Sequence, residues 1–261
     1  GLTRQVLMLI DGVHVSDPSR MHNDFDLNDL TLSDIVSSEI VKGAASTLYG
    51  SSASTGVVYI TTKKSNKALE FSVGSVVGSQ QAANESFNKF SYLSNYLNLS
   101  GTRKKLTYKF NIANQNINGM SSVSNGDELD RFNRSNIGVQ FGRDGASFDW
   151  NLSYNKAHIA SDYDNVFPVE DADFVLITDL ERFFWSSSYS YSKGSINVTF
   201  GMQNTDRDFQ DSYPRYLEAS NLMLDVYNKY ILKERLYAIV GYTHQNSSYD
   251  GVPSVSQNDV Y

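Results

Sequence analysis

The densest group of chemically active side chains is a set of carboxylates in the polar stretch 157–181. Its members are Asp162, Asp164, Glu170, Asp171, Asp173 and Asp179. Carboxylate oxygens at this density are the ligands that a hard cation such as Ca²⁺ prefers. A solvated acidic segment has the same composition. Two alternatives therefore stay open here: a calcium site held by Asp162, Asp164, Asp171 and Asp173, or an ordinary charged surface.

Other kinds of chemistry find little support in the residues. The sequence has no cysteine, which excludes thiolate metal sites and a cysteine nucleophile. No nucleophile is paired with a base at an interpretable spacing. The run Gly50–Gly56 is similar to a phosphate-binding loop, but it lacks the following Lys-Ser/Thr pair and opens into a strand. The net charge of −7 disfavours a nucleic acid as partner. We therefore expect no enzyme, no resident cofactor other than the candidate calcium ion, and no nucleic-acid ligand.

The elements that carry these side chains are predicted to be β-strands. Residues 69–261 repeatedly alternate apolar and polar side chains, which is typical of strands with two different faces. About nine strands are expected, and several approach the ~10 residues that cross a bilayer obliquely. The stretches are 69–78, 90–100, 106–112, 137–141, 148–154, 182–192, 196–202, 220–231 and 235–246.

The connections between these strands alternate in length. Short turns are expected at 101–104, 142–145, 192–195 and 232–235, and long polar loops at 79–89, 115–134, 157–181 and 204–218. This alternation is typical of an antiparallel transmembrane β-barrel with tight periplasmic turns and long external loops. Because bacterial single-chain barrels have an even number of strands, nine strands indicate a partial barrel. The stretch Gln257–Tyr261 is not expected to form a returning strand.

The first quarter of the chain has a different composition. Only three aromatic residues lie in residues 1–68, and the basic segment Lys63–Lys67 marks the change. We therefore divide the chain into a small mixed α/β domain at 1–66, with one helical turn at 46–50, and an all-β domain at 67–261.

Three motifs in the small domain occur in a recognisable order. The strand Val6–Val13 contains Ile-Asp-Gly, the stretch Glu39–Gly50 contains Glu-Ile-Val-Lys-Gly and ends in Leu-Tyr-Gly, and Ser51–Lys63 runs through Gly-Val-Val-Tyr-Ile-Thr-Thr-Lys. This series resembles the C-terminal half of the plug domain of TonB-dependent outer-membrane receptors. Among these the resemblance is closest to cobalamin (vitamin B12) receptors, although siderophore receptors share nearly all the motifs.

The resemblance implies a function and a location. A receptor of this kind lies in the outer membrane of a Gram-negative bacterium, in contact with its lipid, and imports a scarce nutrient such as cobalamin or a ferric siderophore. The plug gates the barrel, and TonB with its inner-membrane energy-coupling complex drives the uptake. Cobalamin receptors also have acidic external loops that calcium orders, and the segment 157–181 resembles such a loop, so both alternatives above stay open.

The resemblance also implies site residues. The segment after the Ile-Asp-Gly strand would be the apical loop that faces the ligand, with Ser19, Arg20, Met21, His22 and Asn23 as ligand-binding residues. Glu39 and Lys42 would pair with charges on the inner barrel wall and clasp the plug in place. Lysine stands at Lys42 where arginine is common, and it cannot form the two-pronged contact of a guanidinium.

Two other functions stay open at this point. A carbohydrate importer of the polysaccharide-uptake type, working beside a surface lipoprotein, would use external aromatic rings that stack on sugars. Such rings are present at Tyr163, Phe167, Phe174, Tyr213 and Tyr216. A non-transporting β-rich surface protein is the second alternative.

Overall fold

The computed structural model describes residues 6–20, 25–27, 30, 34–43, 56–79, 90–119, 121, 123, 129–232, 236–250 and 252–261. In this part of the chain, fourteen strands form two separate sheets. The small sheet contains β1 (Val6–Ile10), β2 (Val13–Val15), β3 (Ile35–Lys42) and β4 (Gly56–Thr62). The long sheet contains β5 (Glu70–Gly78), β6 (Tyr92–Arg103), β7 (Leu106–Asn118), β8 (Arg131–Arg143), β9 (Phe148–Val166), β10 (Val169–Tyr191), β11 (Gly194–Gln210), β12 (Arg215–Leu232), β13 (Leu236–Tyr249) and β14 (Val252–Val260).

The small sheet has the order β2-β1-β4-β3 and is mixed, because β1 and β4 are parallel while the other pairs are antiparallel. The Ile-Asp-Gly motif forms its first turn. Asp11 and Gly12 both have positive φ, 49° and 87°, as a two-residue hairpin turn of type I′ requires. The Asp11 carboxylate also accepts hydrogen bonds from the Thr62 backbone NH (2.9 Å) and hydroxyl (2.7 Å), which ties this turn to the end of β4.

The long sheet is antiparallel throughout and follows chain order from β5 to β14. The chain reverses close to three of the predicted short turns: at 104–105 between β6 and β7, at 144–147 between β8 and β9, and at 192–193 between β10 and β11. The predicted turn at 232–235 lies largely outside the described residues. Alternation also gives the sheet two chemically different faces. On one face the register aligns apolar side chains across five strands, in the row Phe141, Leu152, Trp185, Phe200, Leu224.

The long sheet has ten strands, in line with the expected number of about nine; the additional strand β14 is formed by residues 252–260 and pairs with β13. The expected long loops were wrong in part. The predicted loops at 157–181 and 204–218 are largely continuous hairpins, β9 with β10 and β11 with β12, which reverse at Phe167–Pro168 and at 211–214. Charged side chains do not interrupt backbone pairing, so the ladder can continue through a segment that is rich in them.

The two sheets pack against each other. Ile10, Val15 and Ile60 form a core cluster in the small sheet, and Phe184 of β10 packs onto that cluster. The connection 63–69 joins the sheets, and the domain boundary predicted near residue 66 falls within it. The helical turn predicted at 46–50 lies outside the described residues. A search of the described residues finds no helix with the length and hydropathy of a membrane span.

Candidate functional site

The candidate site is the interface between the small sheet and the inner face of the long sheet. Arg182 and Phe184 of β10 define that face, because the Arg182 guanidinium lies 4.8 Å from the centre of the Phe25 ring and Phe184 contacts the small-sheet core. The alternate side chains of the same strand, Phe183 and Trp185, point to the opposite, outer face and are 36% and 38% exposed. Strand alternation therefore separates a polar interior from an apolar exterior.

A buried ion pair joins the start of β3 to the long sheet. The Lys109 ammonium of β7 lies 2.6 Å and 2.8 Å from the two carboxylate oxygens of Asp34 and 3.5 Å from the Lys63 carbonyl. Only 9% of the Lys109 side chain is exposed. Burial raises the pKa of the Asp34 carboxyl above its ordinary value, and the Lys109 charge opposes that shift. We call this contact the lower pair, because Lys109 is close in sequence to the turn between β6 and β7.

A second buried ion pair lies near the far end of β11. The Arg207 Nη2 donates to Asp17 Oδ2 at 2.6 Å, and Arg207 Nε donates to the Ser19 hydroxyl at 2.7 Å. Asp17 is 1% exposed. We call this contact the upper pair. It fixes the segment that follows β2 to the wall of the long sheet.

Arg134 of β8 gives a third contact between the sheets. Its Nη1 donates to the Leu30 carbonyl at 2.7 Å, and its Nη2 donates to Gln115 Oε1 of β7 at 2.9 Å. A backbone carbonyl of the small domain is therefore held by a guanidinium that a neighbouring strand orients. Contacts of this kind fix a position without demanding a particular side chain on the partner.

The strands β2 and β11 form a dry seam between the lower and upper parts of the interface. Val13 and Val15 of β2 are buried, and β2 lies against β11. A Cβ atom added at Gly201 would approach the Val13 Cγ1 to 3.0 Å, so glycine permits this close approach. Further along the same face of β11, Gln203 and Thr205 are also buried.

A cavity of about 590 Å³ lies between the small sheet and strands β9 to β14. Leu7, Leu9 and Tyr59 line it from the small sheet, and Asp225 and Tyr237 are among the residues that line it from the long sheet. Aromatic and carboxylate groups therefore face each other across an open space of small-molecule size.

The structure describes only part of the predicted ligand loop. Ser19 accepts the Arg207 hydrogen bond, and Arg20 forms an ion pair with Asp26 at 2.6 Å. Met21, His22 and Asn23 lie outside the described residues. The ligand role of all five residues stays a prediction.

The predicted clasp residues lie on the edge strand β3. Glu39 stands opposite Tyr59 and Lys42 opposite Gly56 in the register with β4, and both side chains are exposed. Their role as a clasp stays a prediction. The ion pairs that join the small sheet to the described part of the wall are the lower and upper pairs, which the sequence analysis did not single out. The sequence did indicate that Lys109 faces inward, because it is a cation that alternates with the apolar residues Tyr108 and Phe110 along one strand.

The four predicted calcium ligands lie on β9 and β10. Asp162 accepts a hydrogen bond from the Arg131 backbone NH, Asp164 from the Ala172 backbone NH, and Asp171 from the Ser121 hydroxyl. Asp173 lies near them on β10. Within the described residues, no group of three or more His, Cys, Asp or Glu side chains is arranged to hold a metal ion. Calcium binding stays a prediction.

The comparisons with known proteins agree with this architecture. Residues 1–57 match the family described as the TonB-dependent Receptor Plug Domain. No curated protein matches the chain in sequence. Solved structures do match it in fold, and three of them are described here.

The first is the siderophore receptor PirA from Acinetobacter baumannii, with a TM-score of 0.72 and 14% identity over 94% of this chain and 40% of that one. A variant of the ferric enterobactin receptor PfeA from Pseudomonas aeruginosa, solved in complex with enterobactin, has a TM-score of 0.74 and 15% identity, over 95% of this chain and 42% of that one. The ferric yersiniabactin uptake receptor FyuA from Yersinia pestis has a TM-score of 0.63 and 17% identity, over 98% of this chain and 43% of that one. The chain thus spans about two fifths of the length of these receptors.

These matches support a TonB-dependent receptor and establish the fold as a plug followed by part of an antiparallel barrel. The solved neighbours are named as receptors, and the expectation that this chain is not an enzyme agrees with that. The small sheet is therefore the plug, and the long sheet is barrel wall. The preference for cobalamin finds no support in these three neighbours, which are named as siderophore, ferric enterobactin and ferric yersiniabactin receptors.

Proposed function

We propose that this chain is the plug and part of the barrel of an outer-membrane receptor that imports a ferric siderophore with energy delivered through TonB. The observation that carries the proposal is the seating of the plug-family sheet on the polar inner face of the long sheet, through the lower and upper pairs. A plug held by a few polar contacts blocks the interior and can still be displaced, whereas an extensive apolar interface would resist displacement.

The choice of ligand rests on the neighbours and on the chemistry of the inner face. Three solved receptors of the same fold bind or import siderophores, and one was solved with enterobactin. Ferric siderophores of the catecholate type are anionic and aromatic. One arginine with an aromatic partner lies toward the outer end of the wall: the Arg215 guanidinium is 4.2 Å from the centre of the Phe209 ring. Guanidinium and aromatic groups together suit a planar anionic ligand.

Uptake by the full-length receptor tests the proposal. We expect cells that depend on this receptor to accumulate radiolabelled iron supplied as ferric enterobactin, and to lose this accumulation when TonB is removed. Radiolabelled cobalamin and a labelled oligosaccharide serve as competing substrates in parallel assays. Uptake of either one in place of every ferric siderophore tested would overturn the ligand proposal, and TonB-independent uptake would overturn the mechanism.

A further inference from the structure

Arg207 is placed to organise the plug segment that follows β2. Its guanidinium contacts two residues of that segment, with Nη2 2.6 Å from Asp17 Oδ2 and Nε 2.7 Å from the Ser19 hydroxyl. Both contacts cross from the barrel wall to the plug and join residues 188 and 190 positions apart in sequence. The rigid, multiply donating guanidinium is suited to hold two acceptors in one geometry.

The Asp17 carboxylate, held by Arg207, is in turn hydrogen-bonded to the backbone of the same segment. Its Oδ1 accepts hydrogen bonds from the Ser19 backbone NH at 2.9 Å and from the Ser19 hydroxyl at 2.5 Å. The Arg20 backbone NH donates to the Asp17 carbonyl at 3.2 Å and closes a turn over 17–20. An aspartate that caps its own turn fixes the local backbone. Arg207 therefore helps to fix the backbone conformation of residues 17–20, where the predicted ligand loop begins.

The strand β2, from which this segment starts, is fixed by packing and cannot move to compensate for a change at Arg207. Val13 and Val15 are buried in the seam with β11, and Gly201 allows the approach of Val13. Asp17 is itself almost fully buried. The segment therefore has one fixed end, and the upper pair determines the conformation of the other end.

We propose that Arg207 is a positioning residue for ligand binding: it holds plug residues 16–20 in the binding conformation before the ligand arrives. The ligand part of this inference rests on the proposed function, because residues 19–23 are taken as the ligand-facing loop of the plug. Preorganisation of a binding loop improves affinity by removing the cost of ordering it when the ligand binds. The energy-driven displacement of the plug is a later step, so Arg207 acts mainly on affinity.

Hydrogen exchange of the full-length receptor in lipid nanodiscs tests the positioning role without any ligand. In Arg207→Gln we expect the Ser19 and Arg20 amides to exchange about tenfold faster or more, because their turn loses its anchor. Arg207→Lys keeps the charge but not the planar, forked geometry of the guanidinium, and should give an intermediate rate. Asp17→Asn removes the anion instead and should also accelerate exchange, which provides a second route if Arg207→Gln folds poorly.

The matched control is Lys156→Gln. It removes a cation from an exposed ion pair with Glu181, on the outer face and away from the plug. This variant should leave exchange in residues 16–20 unchanged. Equal exchange rates in Arg207→Gln and the wild type would overturn the positioning role.

Transport kinetics separate positioning from a general loss of folded receptor. With ferric enterobactin as the probe, Arg207→Gln should raise the KM for uptake about tenfold while the maximal rate per folded receptor stays within about twofold. A lower maximal rate with an unchanged KM would overturn the proposal. If the wild type does not transport the probe, the proposed ligand fails, while the exchange experiment still decides whether Arg207 positions the segment.

Discussion

At the scale of single residues, the plug is held by ion pairs in which one partner is buried, Lys109 in the lower pair and Asp17 in the upper pair. Taking Lys109 and Asp34 out of water is costly, and their mutual attraction repays that cost only with close geometry and further hydrogen bonds. The lower pair has both, since each oxygen of Asp34 contacts the Lys109 ammonium and the Lys63 carbonyl lies nearby. Such pairs therefore specify where the plug sits more than they add to stability.

The lower pair predicts an unusual titration of Asp34. Burial raises its pKa and Lys109 opposes the rise, so Lys109→Met should raise the pKa further. Carbon-13 NMR of labelled aspartate in the full-length receptor measures this shift. Lys63→Met is the matched control, because Lys63 exerts a smaller effect in the same direction. A lower Asp34 pKa in Lys109→Met would contradict the assignment.

The raised pKa of Asp34 also determines how its contribution to the free energy of unfolding changes with pH. The folded protein binds the Asp34 proton more tightly than the unfolded chain does. The contribution of Asp34 to the free energy of unfolding therefore falls as the pH rises from the ordinary aspartate pKa through the raised one. Acidification within that window favours the folded state through this group, whatever other carboxylates do.

The sequence could predict that these residues face inward, but not what they contact. Lys109 alternates with Tyr108 and Phe110, and this alternation places it on the polar face of β7. Its partner Asp34 is 75 residues away in sequence. Only the packing of the small sheet on the wall brings the two together, and alternation within one strand carries no information about that packing. The same holds for Arg207 and Asp17.

At the scale of elements, the period of two predicted the strands well and their ends poorly. The turns at 104–105 and 192–193 follow from sharp breaks in alternation. The outer halves of β9 and β10 carry many charged side chains, so hydropathy suggested a loop where the ladder continues. Specific side-chain contacts support these extensions. Tyr163 lies 5.6 Å from the centre of the Phe174 ring and donates to Asp211 at 2.7 Å.

The β2–β11 seam predicts that Gly201 resists any larger residue. In Gly201→Ala the new Cβ meets the Val13 Cγ1 at 3.0 Å, so we expect the free energy of unfolding to fall by about 1 kcal/mol or more. Gly78→Ala is the matched control, because its new Cβ meets Tyr92 at an ordinary 3.5 Å. Denaturant unfolding of the full-length receptor measures both. Equal stability of the two variants would show that the seam is loosely packed.

At the scale of the whole molecule, the two faces of the long sheet separate two environments. The inner face carries Lys109, Arg182 and Arg207 against the plug. The outer face carries the apolar row that includes Trp185 and Phe200. Further along the outer face of β10, the row gives way to Asp179 and Glu181, which pair with His158 and Lys156. An apolar belt bounded by charged side chains is the pattern of a wall that faces lipid over a limited height.

This pattern predicts that the energetic cost of a charge introduced on the outer face depends on whether it lies within the apolar belt or beyond it. Val139 and Asn133 lie on the same face of β8, with Val139 opposite Tyr154 in the apolar belt and Asn133 opposite Ala160 beyond it. Val139→Arg should reduce the free energy of folding into lipid vesicles by about 2–4 kcal/mol, because the guanidinium is forced toward hydrocarbon. Asn133→Arg should change that free energy by less than about 0.5 kcal/mol, as surface substitutions usually do. Urea titrations of the full-length receptor in vesicles measure the difference, and equal values for the two variants would mean that the belt does not face lipid.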